Sequence, residues 1–231
     1  MTDEADPQDQ SGGDPTSRVR DGLVVLLAVT AGVADATSFL ALGKVFSSVM
    51  TGNMVLLGVG AATTDGGEAL RAGLALAGYA AGVLAGVPVA ARSGRRRTWP
   101  IAVTMTLGLE VCVLVAATVI WEVTTRRGGS QLALLTLLAF AMGLQSAAVR
   151  RLGQMSSTYL TSTFTGVIAG LATRTAPAGL PRSIGVVLAA IIGALTGGLL
   201  VRFGPDWLPV PLLLPLLAVI ARSAALADPT V

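Results

Sequence analysis

The twenty residues Ala72–Ala91 carry no charge, and about 20 apolar residues is the length a helix needs to cross the hydrocarbon core of a bilayer. Five further stretches come close to the same description: Leu23–Leu42, broken only by Asp35; Trp99–Trp121, broken only by Glu110; Gln131–Val149; Ile184–Val201; and Trp207–Ala221. A backbone in lipid must satisfy its own polar groups, so segments of this kind are expected to be helices. The chain therefore reads as an all-α integral membrane protein. The tryptophans framing the third stretch predict contacts with the two membrane interfaces. Pro209, Pro211 and Pro215 predict an irregular start to the last one.

Only 13% of the residues are charged, against about 25% in soluble domains. The net charge of +3 does not indicate nucleic acid, because the arginines lie between apolar stretches, where loops on the cytoplasmic side of a membrane carry them. Histidine is absent and Cys112 is the single cysteine. Disulfides, metal sites and histidine-dependent nucleophilic catalysis have no residues to build on. We expect no catalytic residues, no metal and no cofactor, and do not read the chain as an enzyme.

Residues 1–17 are acidic, polar and aperiodic and read as a disordered tail; residues 18–222 form one transmembrane domain, followed by a short tail at 223–231. Arg18, Arg20, an apolar run and Ala34-Asp35-Ala36 mimic a signal peptide. Cleavage is not expected, because the counterpart around Gln145 lies in mid-chain.

That counterpart belongs to an internal repeat, with halves at 22–121 and 131–222. The polar run Gly43-Lys44-Val45-Phe46-Ser47-Ser48-Val49-Met50-Thr51-Gly52-Asn53 returns as Gly153-Gln154-Met155-Ser156-Ser157-Thr158-Tyr159-Leu160-Thr161-Ser162-Thr163. The same register sets Asp35 opposite Gln145 and Arg92 opposite Arg202. After a one-residue slip, Gly78, Gly82 and Gly86 fall opposite Ala189, Gly193 and Gly197, two small-residue ladders of the kind that lets helices pack closely in lipid. The ladders serve packing within the chain or between subunits, so a homo-oligomer stays open.

Each half holds three long apolar stretches and a shorter one, 45–62 or 155–172. If the short segments cross, there are eight spans and the 16 basic residues divide evenly between the two sides. If they re-enter, there are six spans, with eleven basic residues on one side and five on the other. The positive-inside rule favours six spans with both termini cytoplasmic. Three spans per half make the halves inverted repeats, each with a re-entrant or broken helix, an architecture used by many secondary transporters.

Gly32-Val33-Ala34-Asp35-Ala36, Phe39-Leu40-Ala41-Leu42-Gly43, Met50-Thr51-Gly52-Asn53 and Gly143-Leu144-Gln145-Ser146-Ala147-Ala148-Val149-Arg150-Arg151 resemble the YoaK family of bacterial integral membrane proteins, classed as a domain of unknown function. The resemblance implies a multi-span protein of the bacterial cytoplasmic membrane and brings no activity with it. The second half departs from the first in having Ser162-Thr163 where the first has Gly52-Asn53.

The candidate binding residues are the polar groups inside these apolar stretches. Glu110 stands near the middle of a span, where a charge costs about 2.5–3.5 kcal/mol or more; it is a candidate proton or cation site, or an acid hydrogen-bonded between helices. Asp35 is expected to pair with Lys44 or an arginine, or to touch a solute; Gln145 is its uncharged mate. Thr51 and Asn53 are expected to cap a half-helix whose N–H groups face the membrane interior, with Thr161 and Thr163 doing the same in the second half and Ser47, Ser48 and Ser157 lining the approach. Two such N-termini would suit an anion. Together these features suggest a transporter of a small solute in the lipid bilayer, with a passive channel or a non-transporting scaffold as alternatives.

Overall fold

The computed structural model describes residues 15–92, 99–152, 160–173 and 180–227. Within them the six expected stretches form six long helices, α1 (Pro15–Ala41), α3 (Gly66–Ala90), α4 (Ile101–Val123), α5 (Gly129–Arg151), α7 (Leu180–Phe203) and α8 (Pro209–Ala227), each apolar and long enough to cross a membrane. Two shorter helices, α2 (Met50–Ala62) and α6 (Leu160–Thr173), fall in the short segments, and no strand occurs among the described residues. Two boundaries differ from expectation. α1 already begins at Pro15, where a tail was read, and α8 continues to Ala227. The proline-rich start of the last span is a separate 3-10 turn, Pro205–Trp207, ahead of α8.

Side-chain ties fix which helix ends lie together. At one end of the bundle, the far face, Arg71 Nε donates to the Gly43 carbonyl (3.1 Å), Gln131 Nε2 to that of Ala41 (3.4 Å) and Trp121 Nε1 to that of Pro205 (3.3 Å). At the other, the near face, Arg151 Nε donates to the Ala90 carbonyl (3.1 Å), the Thr104 and Ser223 hydroxyls meet at 3.0 Å, and Arg182 pairs with Asp21 at 3.8 Å. The six long helices thus alternate in direction, and α1 begins on the face where α8 ends. The near face carries Arg18, Arg20, Arg92, Arg150, Arg151, Arg182 and Arg222; Lys44, Arg71, Arg126, Arg127 and Arg202 lie at the far one. Arg95, Arg96, Arg97 and Arg174 lie outside the described residues.

The two most extensive helix pairings are α1 with α7 and α3 with α5. Both depend on missing side chains. A Cβ on Gly82 would run into the Phe140 carbonyl and one on Gly143 into that of Tyr79; Gly78 and Gly86 face Thr136 and Ala147 in the same way. Across the molecule, a Cβ on Gly193 would meet the Val29 carbonyl, one on Gly197 that of Val33, and one on Gly32 that of Ala190. Backbone-to-backbone approach of this kind supplies the dispersion contact that holds helices together where lipid offers no hydrophobic drive.

Trp99 does not face the surroundings of the bundle. It is fully buried, with its indole N–H on Thr104 (3.0 Å), and Trp121 is buried as well; only Trp207, 68% exposed, faces outward. Both buried indoles have partners within the protein, Trp99 in the first turn of α4 and Trp121 in the carbonyl of Pro205 ahead of α8.

α2 enters the bundle part way. The chain leaves α1 at Ala41 and turns through Gly43, whose φ of 112° a side chain would strain. It then drops back until Ser47 and Ser48 reach Asp35, six residues before the end of α1 and so about 9 Å below it. From there α2 runs to Thr63 and the start of α3, with Gly60 packed against the Ala69 backbone. Asp65 caps α3 by accepting from Glu68 N. Because Arg71, one turn into α3, bonds to Gly43, α2 returns to the face from which its segment set out.

Candidate functional site

The polar run of the first half folds onto itself. Asp35 Oδ1 accepts from Ser47 N (2.8 Å), Ser47 Oγ (3.1 Å) and Ser48 N (2.7 Å), and its Oδ2 accepts from Ser48 Oγ (2.5 Å). Asn53, fully buried on α2, closes a second loop: its Oδ1 accepts from Phe46 N (2.9 Å) and its Nδ2 donates to Phe46 O (2.7 Å). Four of the sequence candidates, Asp35, Ser47, Ser48 and Asn53, are therefore brought together, and they satisfy one another and the loop backbone.

This arrangement corrects two expectations. Among the described residues Asp35 pairs with neither Lys44 nor an arginine: the Lys44 ammonium lies over the Phe39 ring at 5.2 Å, and Arg71 is spent on a carbonyl. A carboxylate with four donors of its own needs no cationic partner. Nor do Thr51 and Asn53 cap α2. Val49 holds the N-cap position without a side-chain bond, Thr51 lies exposed within the first turn, and Asn53 points back to Phe46. The anion that answers the positive end of α2 is Asp35, through the N–H groups of Ser47 and Ser48 just ahead of the cap. In the second half Ser157 lies outside the described residues, as do the side chains of Thr161 and Thr163 in the first turn of α6.

Glu110 is placed differently. It is 0% exposed in the middle of α4, and neither carboxyl oxygen has a hydrogen-bond partner among the described residues. Gln145, 5% exposed on α5, donates through Nε2 to the Leu27 carbonyl of α1 (2.8 Å), while its Oε1 has no partner. Its role is to tie α5 to α1; it does not mirror the loop-holding role of Asp35. Beside it Ser146 receives the Tyr79 hydroxyl of α3 at 2.6 Å. Neither Tyr79 nor Thr30, fully buried and with its hydroxyl unpartnered, was marked by the sequence, since single hydroxyls in apolar helices more often bond to their own backbone.

An apolar cleft opens near the far face among α1, α4, α5 and α8, lined by Thr37, Ala117, Thr118, Trp121, Leu134, Leu138, Leu208, Pro209 and Leu212. The bundle thus holds a satisfied polar loop on α1–α2, an unsatisfied acid on α4, and a cleft between them and the far face.

A family model described as "Protein of unknown function (DUF1275)" matches residues 23–221. The chain belongs to this family. It is 32% identical over 157 residues to the UPF0700 transmembrane protein YoaK of Bacillus subtilis (strain 168), covering 67% of this chain and 68% of that protein. No solved structure matches the chain. The match agrees with the membrane-spanning fold and with the YoaK-like residues Gly32–Asn53 and Gly143–Arg151.

Proposed function

We propose that this DUF1275 protein is a carrier of a small solute, coupled to a proton or cation through Glu110 and working by the rocking of two inverted halves. One observation carries the reading: a carboxyl at mid-span, wholly buried, with no partner for either oxygen among the described residues. Inside a membrane an acid in that position costs stability, and such residues mark ion and proton pathways. A merely structural acid would be expected to have a donor.

The helix packing supports inverted halves. The register shift that takes Gly32 to Gly143 also takes Val29 to Phe140, Val33 to Leu144, Tyr79 to Ala190, Gly82 to Gly193 and Gly86 to Gly197, so the α1–α7 crossing is repeated by α5–α3, residue for residue. α1 and α5 run in opposite directions, which is the relation an axis in the membrane plane imposes. In this register Asp35 matches Ser146 rather than Gln145, one residue away from the pairing read in the sequence. The arginine-rich near face is assigned to the cytoplasm by the positive-inside rule, in a bacterial cytoplasmic membrane. An anionic solute is not favoured at α2, whose N-terminal end already faces Asp35.

The test is proton movement in proteoliposomes carrying an internal pH dye, challenged with a panel of small metabolites and ions. The expected result is a solute-dependent pH change in the wild type that disappears in Glu110→Gln. A solute flux indifferent to the proton gradient and unchanged in Glu110→Gln would make the protein a channel. A scaffold is the second reading, favoured by the way Asp35, Ser47, Ser48 and Asn53 are used up within the loop; it predicts no flux with any compound.

A further inference from the structure

The cleft near the far face supplies a register for the four helices around it. Thr37 of α1, Ala117 of α4, Leu138 of α5 and Leu212 of α8 line it together. Seven residues are two helical turns, a step of about 10.5 Å that rotates the face by only about 20°. Two turns toward the near face from those four positions stand Thr30, Glu110, Gln145 and Val219, in one layer of the bundle. All four are buried, and three carry side-chain oxygens without partners among the described residues: Thr30 Oγ1, both oxygens of Glu110, and Gln145 Oε1. The bond from Gln145 Nε2 to the Leu27 carbonyl, one turn before Thr30, independently sets Gln145 against that part of α1.

We propose that Glu110 and Gln145 form one proton-holding site, with Glu110 carrying the proton and Gln145 positioning it. The hydrogen-bond inventory selects the occupant. An ionised Glu110 beside Gln145 Oε1 sets acceptor against acceptor. One proton removes the conflict: the Glu110 hydroxyl donates to Gln145 Oε1, so that the acid and the amide oxygen each gain a partner. A hard divalent cation takes six or more oxygens, whereas the layer offers one carboxylate and two neutral oxygens, and no cluster of three metal-ligating residues occurs among the described residues.

The nearest titratable groups on the packed helices are already engaged. Tyr79 of α3 is bonded to Ser146 and Asp35 of α1 to Ser47 and Ser48, while α5 and α8 bring no charge before Arg150 and Arg222 at the near face. In this proposal water entering from the cleft side takes the proton; Thr37 and Thr118 are the polar residues of the cleft, each hydroxyl donating to its own helix backbone. Discharge leaves a carboxylate on Glu110 and a hydronium in the cleft.

This inference rests on the carrier reading for its role in transport but not for its existence. Infrared difference spectra of the reconstituted protein across pH, in H2O and D2O, test it directly. The carbonyl stretch of a protonated carboxylic acid is expected in the wild type, absent from Glu110→Gln, and shifted in frequency in Gln145→Leu, which removes the acceptor of the acid's hydroxyl. Lack of a pH-dependent acid band in the wild type overturns the proposal without reliance on any variant. So does a band removed by NaCl but not by choline chloride at constant pH, which would make the layer a sodium site and leave a cation-coupled carrier standing. An unmoved band in Gln145→Leu would refute its positioning role. If the band behaves as expected and no solute moves protons in vesicles, the site stands and the carrier reading falls.

Discussion

At the scale of single residues, the two intramembrane acids divide the work. Asp35 is a fastener: its four hydrogen bonds fix the turn between α1 and α2. Leaving a buried donor unpaired costs about 1–3 kcal/mol, so Asp35→Ala is expected to lose about 3 kcal/mol of stability, and Asn53→Ala about 2 kcal/mol. Both should speed hydrogen exchange at Phe46, Ser47 and Ser48, while exposed Thr51→Ala should change stability by less than about 0.5 kcal/mol. Equal melting of Asp35→Ala and Thr51→Ala would contradict the fastening role. Glu110 is the opposite case, an acid that the fold leaves without donors, and its replacement by glutamine is expected to act on proton movement. The sequence marked both acids as out of place in lipid. It could not separate them, because what distinguishes Asp35 is a chain reversal that brings Ser47 and Ser48 back beside it. Thr30 and Tyr79 stayed hidden for the same reason: their surroundings come from other helices.

At the scale of elements, lengths and apolar runs were enough to place all six long helices, with ends that agree to within four residues for α4, α5 and α7 and differ by six to eight at the start of α1, the start of α3 and the end of α8, since a span in lipid has little freedom in length. The glycine spacing marked which faces pack closely, and the close approaches of Gly82 to Phe140 and Gly193 to Val29 are its structural counterpart. Alanine there would force α3 from α5, or α7 from α1. Overpacking of that kind costs about 1–3 kcal/mol, and Gly82→Ala and Gly193→Ala are each expected to lower the melting temperature measurably. At Gly73 and Gly108 an added methyl group would meet open space. There alanine is expected to stabilise by up to about 1 kcal/mol through helix propensity alone. Identical responses at Gly82 and Gly73 would show that the ladder does not set the helix spacing. The tryptophans were misjudged because an indole satisfies its N–H equally well on a protein carbonyl or hydroxyl, and composition does not say which is nearer.

At the scale of the whole molecule, the ties between helix ends put the Thr63–Asp65 turn and the α4–α5 turn on one face and both ends of the six-helix run on the other. Reporter fusions after Asp65 and within Arg126–Gly128 are expected to behave as periplasmic, and fusions after Arg92 and Leu152 as cytoplasmic. A cytoplasmic signal after Asp65 would contradict the re-entrant path of α2. The Asp35 fastening also bears on how the protein is made. During synthesis α1 reaches the membrane with a bare carboxylate, and its donors lie only 12 and 13 residues further along. Gln145, by contrast, waits for a carbonyl made 118 residues earlier. The Asp35 carboxylate can therefore find its donors almost as soon as this segment leaves the ribosome, whereas the pairings of α1 with α7 and of α3 with α5 wait for helices made later.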